Sequence, residues 1–276
     1  MTVTLRTRDG RSVLRMERRL AHPPEKVWRA ITHLAAWFPS DVDIDLTVGG
    51  KVRFVFGDGE GPPPDGVVTD LDPPRLVAYT WGEDHLRWEL RPDGAGTRLV
   101  LTQTFADRSG AASFAAGWQG CLEALDHVLA GTPVPPRSRR VAEHEAYVRS
   151  LGLDAGQAEG TVDGWRVRFE RQLTVPAQAA WSALTGDADP VPGDPAPAPA
   201  TTGAAPAGPV TAVDRARLLE YEGPAGLVRW ELGEGTGHGA RLTLTHTGAA
   251  DPDASLRAWR DRVEDLAAAL AATADR

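Results

Sequence analysis

SFAAGWQGCLEALDHVL, residues 113–129, spaces Phe114, Trp118, Cys121, Leu122, Leu125 and Leu129 by steps of three, four and seven positions. On a helix that spacing forms one apolar stripe. Gln119, Glu123 and Asp126 fall on the opposite side, so the stretch predicts a long helix with one face in water. Short alternating runs precede it, and a sheet curled around a single amphipathic helix is the simplest arrangement that buries both. Gly117 and Gly120 each weaken such a helix by roughly 1 kcal/mol relative to alanine. Their presence predicts a close approach to the helix surface, by sheet backbone or by a ligand.

Upstream, residues 12–20 alternate, with Leu14, Met16, Arg18 and Leu20 on one side. Pro24 and Glu25 suit the first turn of a helix over 25–32 that buries Val27, Trp28 and Ile31. A second helical piece, 34–38, ends at Pro39. Val42, Ile44 and Leu46 alternate, Gly49 and Gly50 turn, and Val52, Phe54 and Phe56 alternate again, which is a hairpin signal. After the Gly- and Pro-rich 57–66, four strands are expected at 67–71, 76–81, 86–90 and 98–104.

Downstream, residues 132–163 read as a linker containing a helix over 140–151, and a second copy of the first unit follows. Glu17, Arg18, Leu20, Pro23, Trp28, Ala30 and Thr32 recur 153 positions later as Glu170, Arg171, Leu173, Pro176, Trp181, Ala183 and Thr185. Tyr79 recurs as Tyr221, the segment RWEL at 87–90 returns at 229–232, and Trp118 returns as Trp259. The aromatic-bearing stretch between Thr32 and Val68 is replaced in the copy by 24 residues, of which 18 are Pro, Ala or Gly. Such a segment has little to bury and is expected to be disordered or extended. The expected domains are therefore 1–131, a linker over 132–163, and a shortened repeat over 164–276 with its insert at 186–209.

Composition bounds the function classes. The chain has 276 residues, 42% hydrophobic and 25% charged, with a net charge of −8. A mildly acidic chain without a Lys/Arg block does not suit nucleic acid or an anionic membrane. No run of 18 apolar residues is present to span a bilayer, and the N-terminus lacks the apolar core of a secretion signal. One cysteine excludes an intramolecular disulfide. A cytoplasmic protein is expected, and the excess of arginine over lysine is that of a GC-rich bacterium.

Arg18, Leu20, Ala21, Pro23, Val27, Trp28, Ala30, Ile31 and Thr32, then Trp37 and Phe38, then 48–52 with Phe54, then Gly117 and Trp118, resemble the activator of heat shock protein 90 ATPase homologues within the SRPBCC/START superfamily. The resemblance covers nearly all of 12–131. It implies an α+β helix-grip fold, an antiparallel sheet wrapped around a long C-terminal helix, here present twice with the second copy degenerate. Members bind hydrophobic molecules between sheet and helix, some catalyse reactions there, and others are co-chaperones. No universal catalytic residue follows from the resemblance.

In the copy, the face of Leu218 also carries Glu220 and Glu222, which belong outside. Val77, Tyr79 and Trp81 are therefore expected to point inward. With Trp37, Phe54, Phe56, Trp88, Phe114 and Trp118 they form a lining suited to a planar or hydrophobic small molecule, or else they simply fill the core. Arg18 shares the inward strand face and either holds an anionic ligand group or pairs with a carboxylate. Arg87 and Glu89 lie opposite Trp88 and are expected to face water as cross-strand partners.

Cys121 lies on the buried stripe, where a lone thiol is an inert small hydrophobe. None of the seven histidines stands at metal-ligand spacing, and no phosphate-binding loop opens a helix. No cofactor, metal or catalytic residue is expected. Three readings stay open: binding of a hydrophobic or aromatic small molecule, a polyketide aromatase/cyclase-like enzyme using Arg18 with Tyr79, and a co-chaperone or interaction module.

Overall fold

The computed structural model describes residues 1–55, 66–162, 164–186, 189–237, 239–248 and 252–274. The chain divides into two compact units, Met1–Ala111 with Ala115–Arg140, and Ala112–Phe114 with Val141–Arg276. No described helix is long and apolar enough to cross a membrane.

The first unit runs β1 (Thr2–Arg8), β2 (Arg11–Leu20), α1 (Pro24–Thr32), a 3-10 turn (Leu34–Ala36), β3 (Asp41–Ile44), β4 (Lys51–Val55), β5 (Gly66–Asp72), β6 (Leu76–Trp81), β7 (Asp84–Asp93), β8 (Gly96–Phe105) and α2 (Ala111–Ala130). All neighbouring strands are antiparallel, in the order β1-β2-β8-β7-β6-β5-β4-β3. The predicted alternation is realised in β2, where Leu14, Met16 and Leu20 are buried. In α2 the buried stripe includes Trp118, Cys121, Leu122, Leu125 and Leu129. Gly131 ends the helix in the left-handed region (φ 70°), and the Thr132 N–H reaches back to the His127 carbonyl at 2.9 Å, a closure that satisfies the last helical carbonyls. β1 is a strand beyond those expected. It joins β2 through Asp9 and Gly10, both at positive φ (50° and 76°), which is the two-residue hairpin loop that an Asp-Gly pair favours.

The second unit runs α3 (Val141–Ser150), β9 (Gln157–Thr161), β10 (Gly164–Gln172), α4 (Ala177–Thr185), β11 (Val210–Asp214), β12 (Leu218–Gly223), β13 (Gly226–Glu234), β14 (Ala240–Gly248) and α5 (Pro252–Ala274). Its sheet order is β11-β12-β13-β14-β10-β9. Read from the other edge, this is the order of the first sheet without β4 and β3. Two antiparallel sheets, each followed by a long helix, fit a tandem helix-grip arrangement.

Two expectations change. The stretch 132–163 is not simply a linker, because α3 and β9 belong to the second unit. β9 pairs with β10, and Glu145 of α3 bonds Arg171 of β10. The five residues of β9, QAEGT, are all exposed, so it carries no buried face that alternation would reveal.

The Pro/Ala-rich insert is also placed rather than disordered over its described residues. Ala196, Ala200 and Ala205 are buried. The N–H of Gly193 donates to Val210 O (2.9 Å), Ala196 to Gly208 O (2.9 Å) and Val210 to Asp194 O (2.8 Å). Prolines narrow the unfolded ensemble, so fewer contacts suffice to order such a path.

Candidate functional site: an aromatic cluster and a buried hydroxyl

In the first unit, β4, β6 and β7 direct Phe54, Tyr79, Trp81 and Trp88 toward α2, which supplies Trp118, and the turn after Ala36 adds Trp37 and Phe38. The rings pack on one another. Phe54 stacks on Trp81 with centroids 5.1 Å apart, and Trp88 meets Trp118 edge to face at 5.4 Å and Trp37 at 5.6 Å. Trp37, Phe54, Tyr79 and Trp88 are each at most 1% exposed, and Trp118 is 4% exposed. Edge-to-face pairs of this kind contribute about 0.5–1.5 kcal/mol each beyond the area they bury.

The cluster centres on Phe38, which lies 5.7 Å from Trp81 and from Trp118, and 6.0 Å from Phe54. Phe38 was not among the expected lining residues. Residues 34–38 wind helically as expected, with Phe38 N–H on Leu34 O at 2.7 Å, and both adjacent rings go in.

Polar tips within the cluster are hydrogen-bonded. The Trp37 indole donates to Ala30 O (2.8 Å), Trp88 to the Tyr79 hydroxyl (3.1 Å), and Trp118 to Gln103 Oε1 (2.7 Å). Gln103 is fully buried on β8 and passes its own N–H to Asp84 (2.7 Å). Burial pushes the Asp84 carboxyl above its usual value, against the Gln103 bond that lowers it. Gln103 was legible as the lone polar residue on the inward alternation Leu99, Leu101, Gln103, Phe105. Burial also pushes the Tyr79 phenol up, so it stays a protonated donor.

The remaining expected residues stand elsewhere. Arg18 does face α2, where it pairs with Asp126, and both side chains are partly exposed. The guanidinium is therefore already occupied by a carboxylate. Phe114 is half-buried and falls with Ala112–Phe114 in the second unit. Phe56 lies outside the described residues. Arg87 pairs with Glu89 (2.8 Å) and Asp70 (2.9 Å) across the outer face. Of the two helical glycines, Gly120 admits the Arg140 side chain, which packs where a methyl group would go, while Gly117 has no described neighbour there.

Cys121 is buried, with its thiol pushed up to about 11 by that burial despite Arg137 and Arg140. Among the described residues no group of three His, Cys, Asp or Glu gathers as for a metal. An open depression of about 380 Å³ on the β3–β4 hairpin is lined by Asp43, Asp45, Gly49, Gly50, Lys51 and Arg53. Its walls are charged and it does not include the rings.

Residues 21–130 match the model of the activator of Hsp90 ATPase homolog 1-like protein family. The likeness to this family lies in the first unit. The match stops short of the second unit. Among solved structures, the chain is similar to a conserved protein of unknown function from Enterococcus faecalis (23% identity, 55% of this chain and 91% of that one, TM-score 0.48). It is also similar to CalU16 from Micromonospora echinospora (17% identity, 55% and 94%, TM-score 0.42) and to protein MLL2253 from Mesorhizobium loti (26% identity, 44% and 98%, TM-score 0.39). No curated protein matches the chain.

The tryptophan arrangement of the first unit has an internal parallel. Trp230 and Trp259 of the second unit meet at 5.5 Å and 82°, against 5.4 Å and 82° for Trp88 and Trp118. The difference lies in what covers them. In the second unit the insert lies over the pair, and its Ala200 carbonyl accepts from Trp230 and from Tyr221.

Proposed function

We propose that the first unit binds an uncharged hydrophobic or aromatic small molecule between its sheet and α2, and that the second unit is a supporting domain without this role. The observation that carries the reading is the contrast between two sites built on the same strands and helix. One is surrounded by Trp37, Phe38, Phe54, Trp81, Trp88 and Trp118, while the other is closed by the chain's own backbone at Ala200. Apolar surroundings with a few placed polar groups are the usual character of a small-molecule site. Binding requires these closely packed rings to rotate apart, so that a planar molecule replaces ring contacts with its own. The aromatase/cyclase-like alternative needs a cooperating polar pair. Arg18 is held by Asp126 and Tyr79 by Trp88, and among the described residues no hydrogen bond joins them, so general acid–base work has no support there.

Native mass spectrometry of protein purified from its own host, followed by denaturing extraction, tests the binding reading. A stoichiometric hydrophobic molecule is the expected result. A clean apo mass together with no thermal shift across lipids and aromatic metabolites would show that the rings are core alone.

A second reading, docking to a chaperone of the Hsp90 type, draws on the family description and on exposed apolar side chains around the β3–β4 hairpin. Leu46, Val48, Val55 and Val67 are 37%, 67%, 49% and 44% exposed. A pull-down with the cell's own 90 kDa chaperone that recovers nothing removes it.

A further inference from the structure

Tyr79 on β6 and Trp88 on β7 stand nine residues apart, and so do Tyr221 on β12 and Trp230 on β13. The strand registers match, with Tyr79 opposite Leu86 and Val77 opposite Trp88, and Tyr221 opposite Val228 and Leu219 opposite Trp230. In the second unit both donors converge on one oxygen. The Tyr221 hydroxyl and the Trp230 indole each reach Ala200 O at 3.1 Å. The pair is thus a two-donor cradle for an uncharged carbonyl oxygen, and in the second unit the chain itself supplies that oxygen.

In the first unit no described residue supplies such an oxygen to the pair. Trp88 donates to the Tyr79 oxygen at 3.1 Å, and because an indole N–H only donates, the Tyr79 oxygen is the acceptor. Its own proton then has no acceptor among the described residues. Tyr79 is 1% exposed, and leaving a buried donor unmade costs on the order of 1–3 kcal/mol. The neighbouring rings offer no charge, and the Arg18 guanidinium is spent on Asp126. An anion brought here would lose its hydration without gaining a counter-charge.

We infer that the Tyr79 hydroxyl, backed by Trp88, is the anchor for the carbonyl oxygen of an uncharged aromatic ligand: a ketone, quinone or amide rather than a carboxylic acid or a plain hydrocarbon. The inference rests on the binding reading above and specifies the ligand that reading leaves open.

The test uses the full chain and two probes of matched shape, 2-acetylnaphthalene and 2-ethylnaphthalene, titrated by calorimetry. One anchoring hydrogen bond predicts that the ketone binds about 5- to 10-fold more tightly. Tyr79→Phe abolishes that preference and leaves the hydrocarbon affinity unchanged. Tyr221→Phe, whose hydroxyl is already satisfied, keeps the preference. If both probes bind equally to the wild-type protein, the pocket stands and the anchor falls, and this comparison decides even if Tyr79→Phe does not fold. A preference that survives Tyr79→Phe also overturns the anchor. If neither probe binds, the pocket reading fails and takes the anchor with it.

Discussion

The indole of Trp259 donates to Nδ1 of His246 at 2.9 Å, and His246 Nε2 in turn reaches the Ala225 carbonyl at 3.1 Å. These two bonds require the neutral imidazole with its proton on Nε2, because a proton on Nδ1 would face the indole N–H. The first unit solves the same problem with Gln103, which accepts from Trp118.

His246 is fully buried, and that burial lowers its affinity for a proton, with the Ala225 bond opposing. A histidine whose folded value lies below its unfolded value of about 6.5 stabilises the fold fully above that pH. As the pH falls below it, the unfolded chain takes up a proton that the folded chain refuses. The second unit should therefore lose stability on acidification below about pH 6.5, by at most about 1.4 kcal/mol per pH unit from this group. His246→Gln, copying the first unit, should flatten that slope in melting curves taken from pH 7.5 to 5. An unchanged slope would assign the acid sensitivity elsewhere.

Arg171 is 2% exposed and bonds Glu264 at 2.8 Å and Glu145 at 2.5 Å. Burial alone would raise the Glu145 carboxyl, but His144 and Arg171 together hold it below its usual value. Arg171→Leu strands two carboxylates, and removing one partner from a buried pair costs about 3–5 kcal/mol. Its counterpart Arg18 sits on Asp126 with both side chains partly in water, so Arg18→Leu should cost about 1 kcal/mol or less. Urea unfolding of the two variants measures the asymmetry, and equal losses would contradict it.

Gly117 is exposed, and nothing described stands within 4 Å of where its β-carbon would be. Gly117→Ala should stabilise α2 by about 0.4–1 kcal/mol through a less disordered unfolded chain. A fall in melting temperature would contradict the open space beside this position.

Cys121, with its thiol near 11, exposes about one thiolate in a thousand at pH 8. A chromogenic disulfide reagent should find no reactive thiol in the folded protein and one per chain in denaturant. Fast labelling of the native protein would refute the buried placement.

The strands of the first unit were legible because β2, β4 and β8 bury one face and wet the other, and α2 because its stripe keeps helical spacing over its whole length. β1 escaped notice although the Asp9-Gly10 dipeptide marks its turn, and β9 because none of its residues is buried. Within the site, Tyr79 and Trp88 followed from alternation, while Phe38, at the end of the helical piece expected over 34–38, was missed because a piece so short does not show which of its two adjacent rings turns inward. Arg18 showed its inward strand face, but its partner Asp126 lies 108 positions away, a separation that only the packing of α2 on the sheet closes. The insert misled because composition reports what large side chains can bury, whereas this segment is held by main-chain hydrogen bonds, three buried alanines and the Asp194 and Thr202 side chains.

That last point changes what mutation can reach. Ala200 meets Tyr221 and Trp230 through its carbonyl, an atom every amino acid carries. Side-chain substitution at Ala200 would therefore register only bulk, leaving that interaction itself silent. At this one contact the plug tolerates drift in spelling while its length is held, and deleting residues or replacing the peptide linkage would pull it from its seat.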